Sequence, residues 1–264
     1  MITLREALPE DAALRQALEA SAPAETAMLW AEAPLLGFGN AGLWQQTDPT
    51  GRTTALLLRN PTGGVTLAPL PQADPDELAE FLQVVGWSSV TLPGSFDLPL
   101  PGRSETCLLL EWEPRPFALP GELRAEPISA TALLENTLAA FGAPTDPEVQ
   151  QEWQWAFALR TRRQTALALG LFCAGTQTAA AALSHIGPAA AVVGFVGTPP
   201  PFRGKGYGSL AACAAASHAA QLGLRPLLCC QPRLEEFYRR AGFRTVGCQT
   251  VMQSRSKTGL RPQK

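Results

Sequence analysis

The sequence of 264 residues predicts an α/β chain of the α+β kind, built as two units. In the second unit helices flank a central mixed, mostly antiparallel sheet; the first is a smaller α+β unit. Three observations carry this reading. Residues 113–121 hold three prolines and a glycine, the composition of a connector between units. Three strand-like runs follow in close succession over 166–196, and after them helical and strand-like runs alternate, an order that packs helices on a mixed sheet. Between an apolar run ending at Val196 and an alanine-rich run, the chain reads Phe202-Arg203-Gly204-Lys205-Gly206-Tyr207-Gly208.

The connector sets the expected domains at 1–118 and 122–264. In the first, strands are expected at 42–46, 53–59 and 65–70, separated by Asp48-Pro49-Thr50-Gly51 and Asn60-Pro61-Thr62-Gly63-Gly64 turns. Asp74 offers an N-cap, Pro75 the first helical position and Glu77 the third residue after the cap, so a helix runs to about Val85. Strands at 89–92 and 107–112 follow. Gly37-Phe38-Gly39-Asn40-Ala41-Gly42 spells G-x-G-x-x-G, but it neither follows a clear strand nor opens a helix and reads as a loop.

In the second unit, helical spacing over 129–141 stops at Gly142. Asp146-Pro147-Glu148 repeats the cap-then-proline signal and starts a helix to about Arg163, carrying Trp153, Trp155 and Phe157. Strands are expected at 166–173, 178–184 and 190–196. A helix over 206–222 ends at Gly223, then come a buried strand at 227–230, a short helix over 232–241 and a last strand at 244–252. The first unit shows the same coarse order, strands then helix then strands, and so reads as a diverged copy without the glycine turn.

Composition narrows the function classes. With 46% hydrophobic and 17% charged residues the chain is too apolar for disorder. No apolar run approaches the ~20 residues that span a bilayer. The first 14 residues contain Glu6, Glu10 and Asp11 and lack the basic and apolar regions of a signal peptide, so the cytoplasm is the expected location. The six cysteines, Cys107, Cys173, Cys213, Cys229, Cys230 and Cys248, form no C-x-x-C pair and no zinc spacing; reduced, buried thiols and no metal are expected. Residues 1–120 carry 6 Arg against 15 Asp and Glu, and residues 121–264 carry 15 Lys and Arg against 8 acids. A basic second unit suits a small polyanion. Without Lys/Arg runs interleaved with aromatics, nucleic acid is not an expected partner, and neither is a membrane.

The glycine-rich turn is where the chemistry concentrates. A strand feeding such a turn into a helix aims several backbone N–H groups at one spot, with the positive end of the helix dipole behind them. Three alternate glycines are unfavourable at a helix start unless something uses the exposed amides. Residues 206–211 also match G-x-G-x-x-A, but no Asp or Glu occurs between Arg203 and Leu234 to hold a ribose, and the Gly-Lys-Ser/Thr of a P-loop is missing. This turn, with Phe237-Tyr238-Arg239-Arg240-Ala241-Gly242-Phe243 about thirty residues on, resembles the coenzyme A loop and tyrosine-bearing helix of the GNAT-type N-acetyltransferase superfamily. The resemblance runs from about Glu122 onward. It implies the GNAT fold, acetyl-CoA as cofactor, and transfer of its acetyl group to the amine of a small molecule or peptide by direct attack on the thioester.

The resemblance also implies roles. Backbone N–H groups of Gly204, Lys205, Gly206, Tyr207, Gly208 and Ser209 bind the pyrophosphate, with Arg203 and Lys205 adding charge at the rim. The backbone of Val196, Gly197 and Thr198 pairs with the pantetheine arm, and three prolines, 199–201, stop the strand there. Gln231 stands where relatives often carry asparagine, and a side-chain hydrogen bond from it to the cofactor is expected. Tyr238 is the catalytic acid: a phenol is protonated at neutral pH and can hand its proton to a thiolate. The general base stays open, because residues 186–198 contain no acid; His185 either acts through water or lies at the surface, and His218 faces solvent. Arg160, Arg162 and Arg163 either complement a helix dipole or clamp an acidic acceptor.

The missing acid keeps a second class in play, a non-catalytic acyl-CoA-binding sensor. A third reading makes the acidic first unit, with Trp30 and Trp44 exposed, an interaction module.

Overall fold

A computed structural model describes residues 1–142 and 147–254. Among the described residues two compact units are present: Met1–Cys107 together with Cys248–Ser254, and Leu108–Gly247. The connector at 113–121 has neither helix nor strand, but it lies inside the second unit rather than between the units. The reason is two long strands, β6 (Gly102–Trp112) and β12 (Phe243–Ser254), each of which begins in one unit and ends in the other.

The first unit starts with β1 (Ile2–Arg5), α1 (Ala12–Ser21) and α2 (Pro23–Glu32), none of them expected. Asp11 caps α1, accepting from the N–H groups of Ala13 and Leu14. The strands β2 (Gly42–Thr47), β3 (Thr53–Arg59) and β4 (Gly64–Pro69) form an antiparallel meander whose bounds agree with the expected runs to within a residue. β5 (Ser89–Pro93) lies parallel to β4, and the second half of β12 pairs antiparallel with β5. The period-two alternation of β3 decides which helices cover which face. Ala55 and Leu57 pack with Leu78, Ala79 and Leu82 of α3 (Pro75–Val85), whereas Leu56 and Leu58 pack with Leu18 and Leu29 of α1 and α2. Trp44, expected to be exposed, is half-buried and packs edge-on against Phe81 at 5.4 Å; Trp30 is also half-buried. Residues 37–41 form the expected loop.

After the second half of β6, the second unit continues with β7 (Arg124–Pro127), then α4 (Ala130–Phe141), capped by the Ser129 hydroxyl and closed by Gly142 in the left-handed region. α5 (Pro147–Arg162) follows; the expected cap at Asp146 lies outside the described residues. The strands β8 (Leu167–Cys173), β9 (Thr176–Ile186) and β10 (Ala190–Gly197) make the expected meander. Then come α6 (Tyr207–Gln221), β11 (Arg225–Cys230), a single 3-10 turn, α7 (Glu235–Arg240) and the first half of β12. β11 is parallel to β10, and the second half of β6 runs antiparallel to β11.

Both faces of β9 are covered, so its run is apolar rather than alternating. Ala179, Ala181 and Leu183 meet Ala211, Ala212, Ala215, Ala216 and Ala219 of α6, whose methyl groups let the helix sit close to the sheet. Ala180 and Ala182 meet Leu133 of α4 and Phe157 of α5, joined by Trp153 and Phe195. All six cysteines are free; Cys213 and Cys230 are buried and the other four only half-buried, fewer fully buried thiols than expected. Among the described residues no helix is long and apolar enough to cross a membrane, and no group of His, Cys, Asp and Glu could hold a metal ion.

Candidate active site

The site grows out of the end of β10. Strands β10 and β11 stay in register only from Ala190↔Arg225 to Val193↔Leu228. Beyond that point Cys229 and Cys230 continue to pair with β6, while β10 turns away. The cause is a bulge: between Gly194↔Ala182 and Gly197↔Ala180, β10 advances three residues against two on β9, with Phe195 at φ 52°. An extra residue bends its strand and breaks the ladder locally. The sheet is therefore open between β10 and β11 where Val196, Gly197 and Thr198 lie, leaving that edge available to an extended ligand.

The chain then passes a 3-10 turn (Pro200–Phe202) and enters α6 through Gly204 and Gly206, both at φ 77°. Gly206 is the N-cap, and no side chain caps the helix. Pro199 O and Pro200 O take the N–H groups of Phe202 and Arg203, and Gly206 O takes that of Leu210. Among the described residues, none of the six N–H groups from Gly204, Lys205, Gly206, Tyr207, Gly208 and Ser209 donates within the protein. Six consecutive donors left unengaged within the protein, the first three on exposed residues and the next three on half-buried ones, stand at the positive end of a 15-residue helix, a geometry suited to an anion. Gly208 has a packing reason to be glycine: a Cβ there would stand 2.9 Å from Thr198 Oγ1 and 3.6 Å from Phe237 Cζ.

The corresponding turn of the first unit is closed. Asp74 accepts from the N–H groups of Asp76 and Glu77 at 3.0 and 3.1 Å, and those two acids occupy the first turn of α3. Negative charge fills the place where an anion would bind.

Side chains around the socket do different work from that expected of some of them. Arg203 is not a free rim charge: its Nε donates to Thr198 O at 3.2 Å and its Nη2 to Ala140 O, tying the loop to the last turn of α4. Lys205 is exposed. The Tyr207 ring packs against the apolar core and its hydroxyl pairs with the Cys173 thiol, which pushes the phenol up, so what this residue offers the socket is its N–H. Gln231 follows β11 as the N-cap of the 3-10 turn, where its carbonyl accepts from Leu234 N at 2.9 Å.

Tyr238 sits on α7, 8% exposed, with Phe237 and Phe243 edge-on at 4.9 and 5.8 Å. Burial first, and the neighbouring Cys230 second, push its phenol up. Its hydroxyl makes no hydrogen bond among the described residues. The group is thus a proton donor that keeps its proton. The end of α7 is pinned through one carbonyl, Ala241 O, which accepts from Arg115 Nη2 at 2.8 Å, Trp112 Nε1 at 3.2 Å and Cys213 Sγ at 3.1 Å.

His185, a candidate base acting through water, is held in a relay. Arg160 Nη1 lies 2.6 Å from its Nε2, and Ser184 Oγ lies 3.0 Å from its Nδ1 and donates to Val192 O at 3.1 Å. A guanidinium only donates, so Nε2 accepts and the network assigns the ring proton to Nδ1. The lone pair a base would use is engaged. Arg160 itself is 5% exposed and also donates to Ser184 O, so of the three arginines it serves the fold's interior.

One residue at the site escaped the sequence reading. Asn136 of α4 is 6% exposed, and its Oδ1 is buried without a hydrogen-bond partner. A Cβ built on Gly197 would lie 2.9 Å from that oxygen and 3.1 Å from Ala140 Cβ. A polar residue between Leu133 and Ala140 on the apolar face of a helix was the available signal.

Residues 130–243 match the family described as Acetyltransferase (GNAT) family. No curated protein is a significant match to the chain. Solved structures similar to it include a GNAT acetyltransferase from Colwellia psychrerythraea, at 16% identity and TM-score 0.59, covering 97% of this chain and 100% of that one. A GNAT-family protein from Novosphingobium aromaticivorans is similar at 22% identity and TM-score 0.57, covering 90% and 99%. A tandem GNAT protein from the clavulanic acid biosynthesis pathway is similar at 13% identity and TM-score 0.57, covering 97% and 99%. At these identities the likeness is one of fold, and it extends over both units.

Proposed function

We propose, from the match of residues 130–243 to the GNAT acetyltransferase family, that the chain moves an acyl group, acetyl foremost, from coenzyme A to an amine of a small molecule or peptide. The observation that carries this is the run of six unengaged amides at residues 204–209 beside the opened edge of β10. The residues present fit the cofactor. Gly204, Lys205, Gly206, Tyr207, Gly208 and Ser209 would hold the pyrophosphate through their N–H groups, and the glycine positions let phosphate oxygens approach the backbone. Val196, Gly197 and Thr198 offer an unpaired strand edge to the amide-bearing arm, a β-augmentation geometry. Bound there, acetyl-CoA supplies an activated acyl carbon.

The chain's own part in the reaction is positioning and proton supply. Tyr238 holds a proton at its hydroxyl for the thiolate that departs when the amine nitrogen bonds to the acyl carbon and the carbon–sulfur bond breaks. His185 is engaged by Arg160, and β10 carries no acid, so the amine enters as the free base, and the one proton it sheds on bonding to the acyl carbon passes to water and restores the Tyr238 phenol. Those same two observations favour a second reading, an acyl-CoA-binding module without turnover. Calorimetric titration with acetyl-CoA and assay of free thiol over a panel of amines separate the readings: binding with amine-dependent thiol release supports the enzyme, binding alone supports the module, and absence of both removes the proposal.

A further inference from the structure

We propose that the Asn136 side chain is a binding residue for the thioester-bearing arm of the cofactor, its Oδ1 receiving an amide N–H of pantetheine; this rests on the coenzyme A reading above. Three observations converge on it. Among the described residues of the second unit, Asn136 Oδ1 is the one buried side-chain polar atom left without a hydrogen-bond partner. Such an acceptor destabilises the fold unless something satisfies it. Its place is the second observation: it lies against Gly197, where β10 has left β11 and where only a hydrogen at Cα leaves room for it. The third is that the phosphate loop is tied to the same helix four residues on, through Arg203 to Ala140 O and to Thr198 O. Helix α4, the strand edge and the anion socket are thereby held in one arrangement, with an acceptor waiting between the first two.

The chemistry of the proposed ligand supplies what is missing. Pantetheine contains two secondary amides, its only N–H donors, and an arm laid along the open edge brings one of them to the end of β10. No other polar group of the loop points to that role: Arg203 is engaged with carbonyls, and the Thr198 hydroxyl abuts Gly208.

The test uses the full chain and two probes, acetyl-CoA and 3′,5′-ADP, which keeps the 3′-phosphate and one phosphate of the 5′-diphosphate but lacks the arm. Asn136→Leu, nearly equal in volume and apolar, should raise the melting temperature or leave it unchanged. It should weaken acetyl-CoA binding roughly tenfold while 3′,5′-ADP binds within about twofold of wild type. Asn136→Ala should give the same selective loss should leucine disturb the packing. Equal loss of both probes, or no loss of either, overturns the inference alone. Failure of the wild-type chain to bind either probe removes the coenzyme A reading and this inference with it.

Discussion

Arg115 lies flat against Gly242. A Cβ at that glycine would stand 2.6 Å from the guanidinium carbon and 2.7 Å from Nη2, and Gly242 itself has φ 90°. The same guanidinium donates to Ala241 O, the carbonyl that also receives Trp112 and Cys213. Helix α7, which carries Tyr238, is thus fixed at its C-terminus from a segment whose composition reads as a connector. Gly242→Ala is expected to destabilise the chain by about 2 kcal/mol or more, from both the clash and the positive φ. Arg115→Ala in the same chain should recover part of that loss in thermal melts, because it removes the clash but not the backbone strain.

Tyr238→Phe isolates the hydroxyl. Since that oxygen bonds to nothing among the described residues, the melting temperature should hold and acetyl-CoA affinity should change little. The turnover number should fall about 10²-fold or more, the range for loss of a general acid. With the wild-type phenol pushed up by burial, the rate should not decline between about pH 7 and about pH 10, because the acid is still protonated there. A wild-type rate that titrates away below about pH 9 would remove Tyr238 from the role.

The two helix N-termini make opposite predictions. Gly208→Val places a branched side chain against Thr198 Oγ1 and should weaken coenzyme A binding by at least roughly tenfold. Asp74→Ala removes the cap of α3 and should cost about 1 kcal/mol of stability while leaving coenzyme A affinity unchanged. Calorimetry and thermal melts on both variants check this contrast.

Much of this was legible in the sequence because it depends on local chemistry. The cap at Asp74, the stop at Gly142 and the glycine turn at 204–208 are all signalled by residue types whose local role is specific. What stayed hidden depends on distant partners. Helix α2 is buried on nearly every side, through Ala24, Glu25, Thr26, Ala27, Leu29, Ala31 and Glu32, so it shows no amphipathic period. Nothing local marks Phe195 for φ 52°; the β9 register and the packing of Trp153 and Phe157 set that bulge. The unit boundary was displaced because β6 begins at Gly102, in a polar run that lacks the apolar signature of its second half.

Glu25 makes the first unit sensitive to pH. It is 1% exposed, accepts from Gln249 Nε2 at 2.7 Å, and burial pushes its carboxyl above the usual range. An acid whose folded pKa is raised adds stability below its unfolded pKa of 4.5 and loses that contribution as pH rises through the folded value. The melting temperature should therefore drop as pH rises from 4.5 toward neutrality. Glu25→Gln should flatten that slope and raise the melting temperature at neutral pH; an unchanged slope would contradict the assignment.

The claim on which the functional account rests is that the amides of residues 204–209 receive a diphosphate. The most direct measurement is the backbone amide NMR spectrum of the chain titrated with coenzyme A. The account predicts that the N–H signals of Gly204, Lys205, Gly206, Tyr207, Gly208 and Ser209 shift together and saturate with one binding constant, while those of Asp76 and Glu77 at the start of α3 stay in place. A spectrum in which those six signals do not respond at saturating coenzyme A would contradict it.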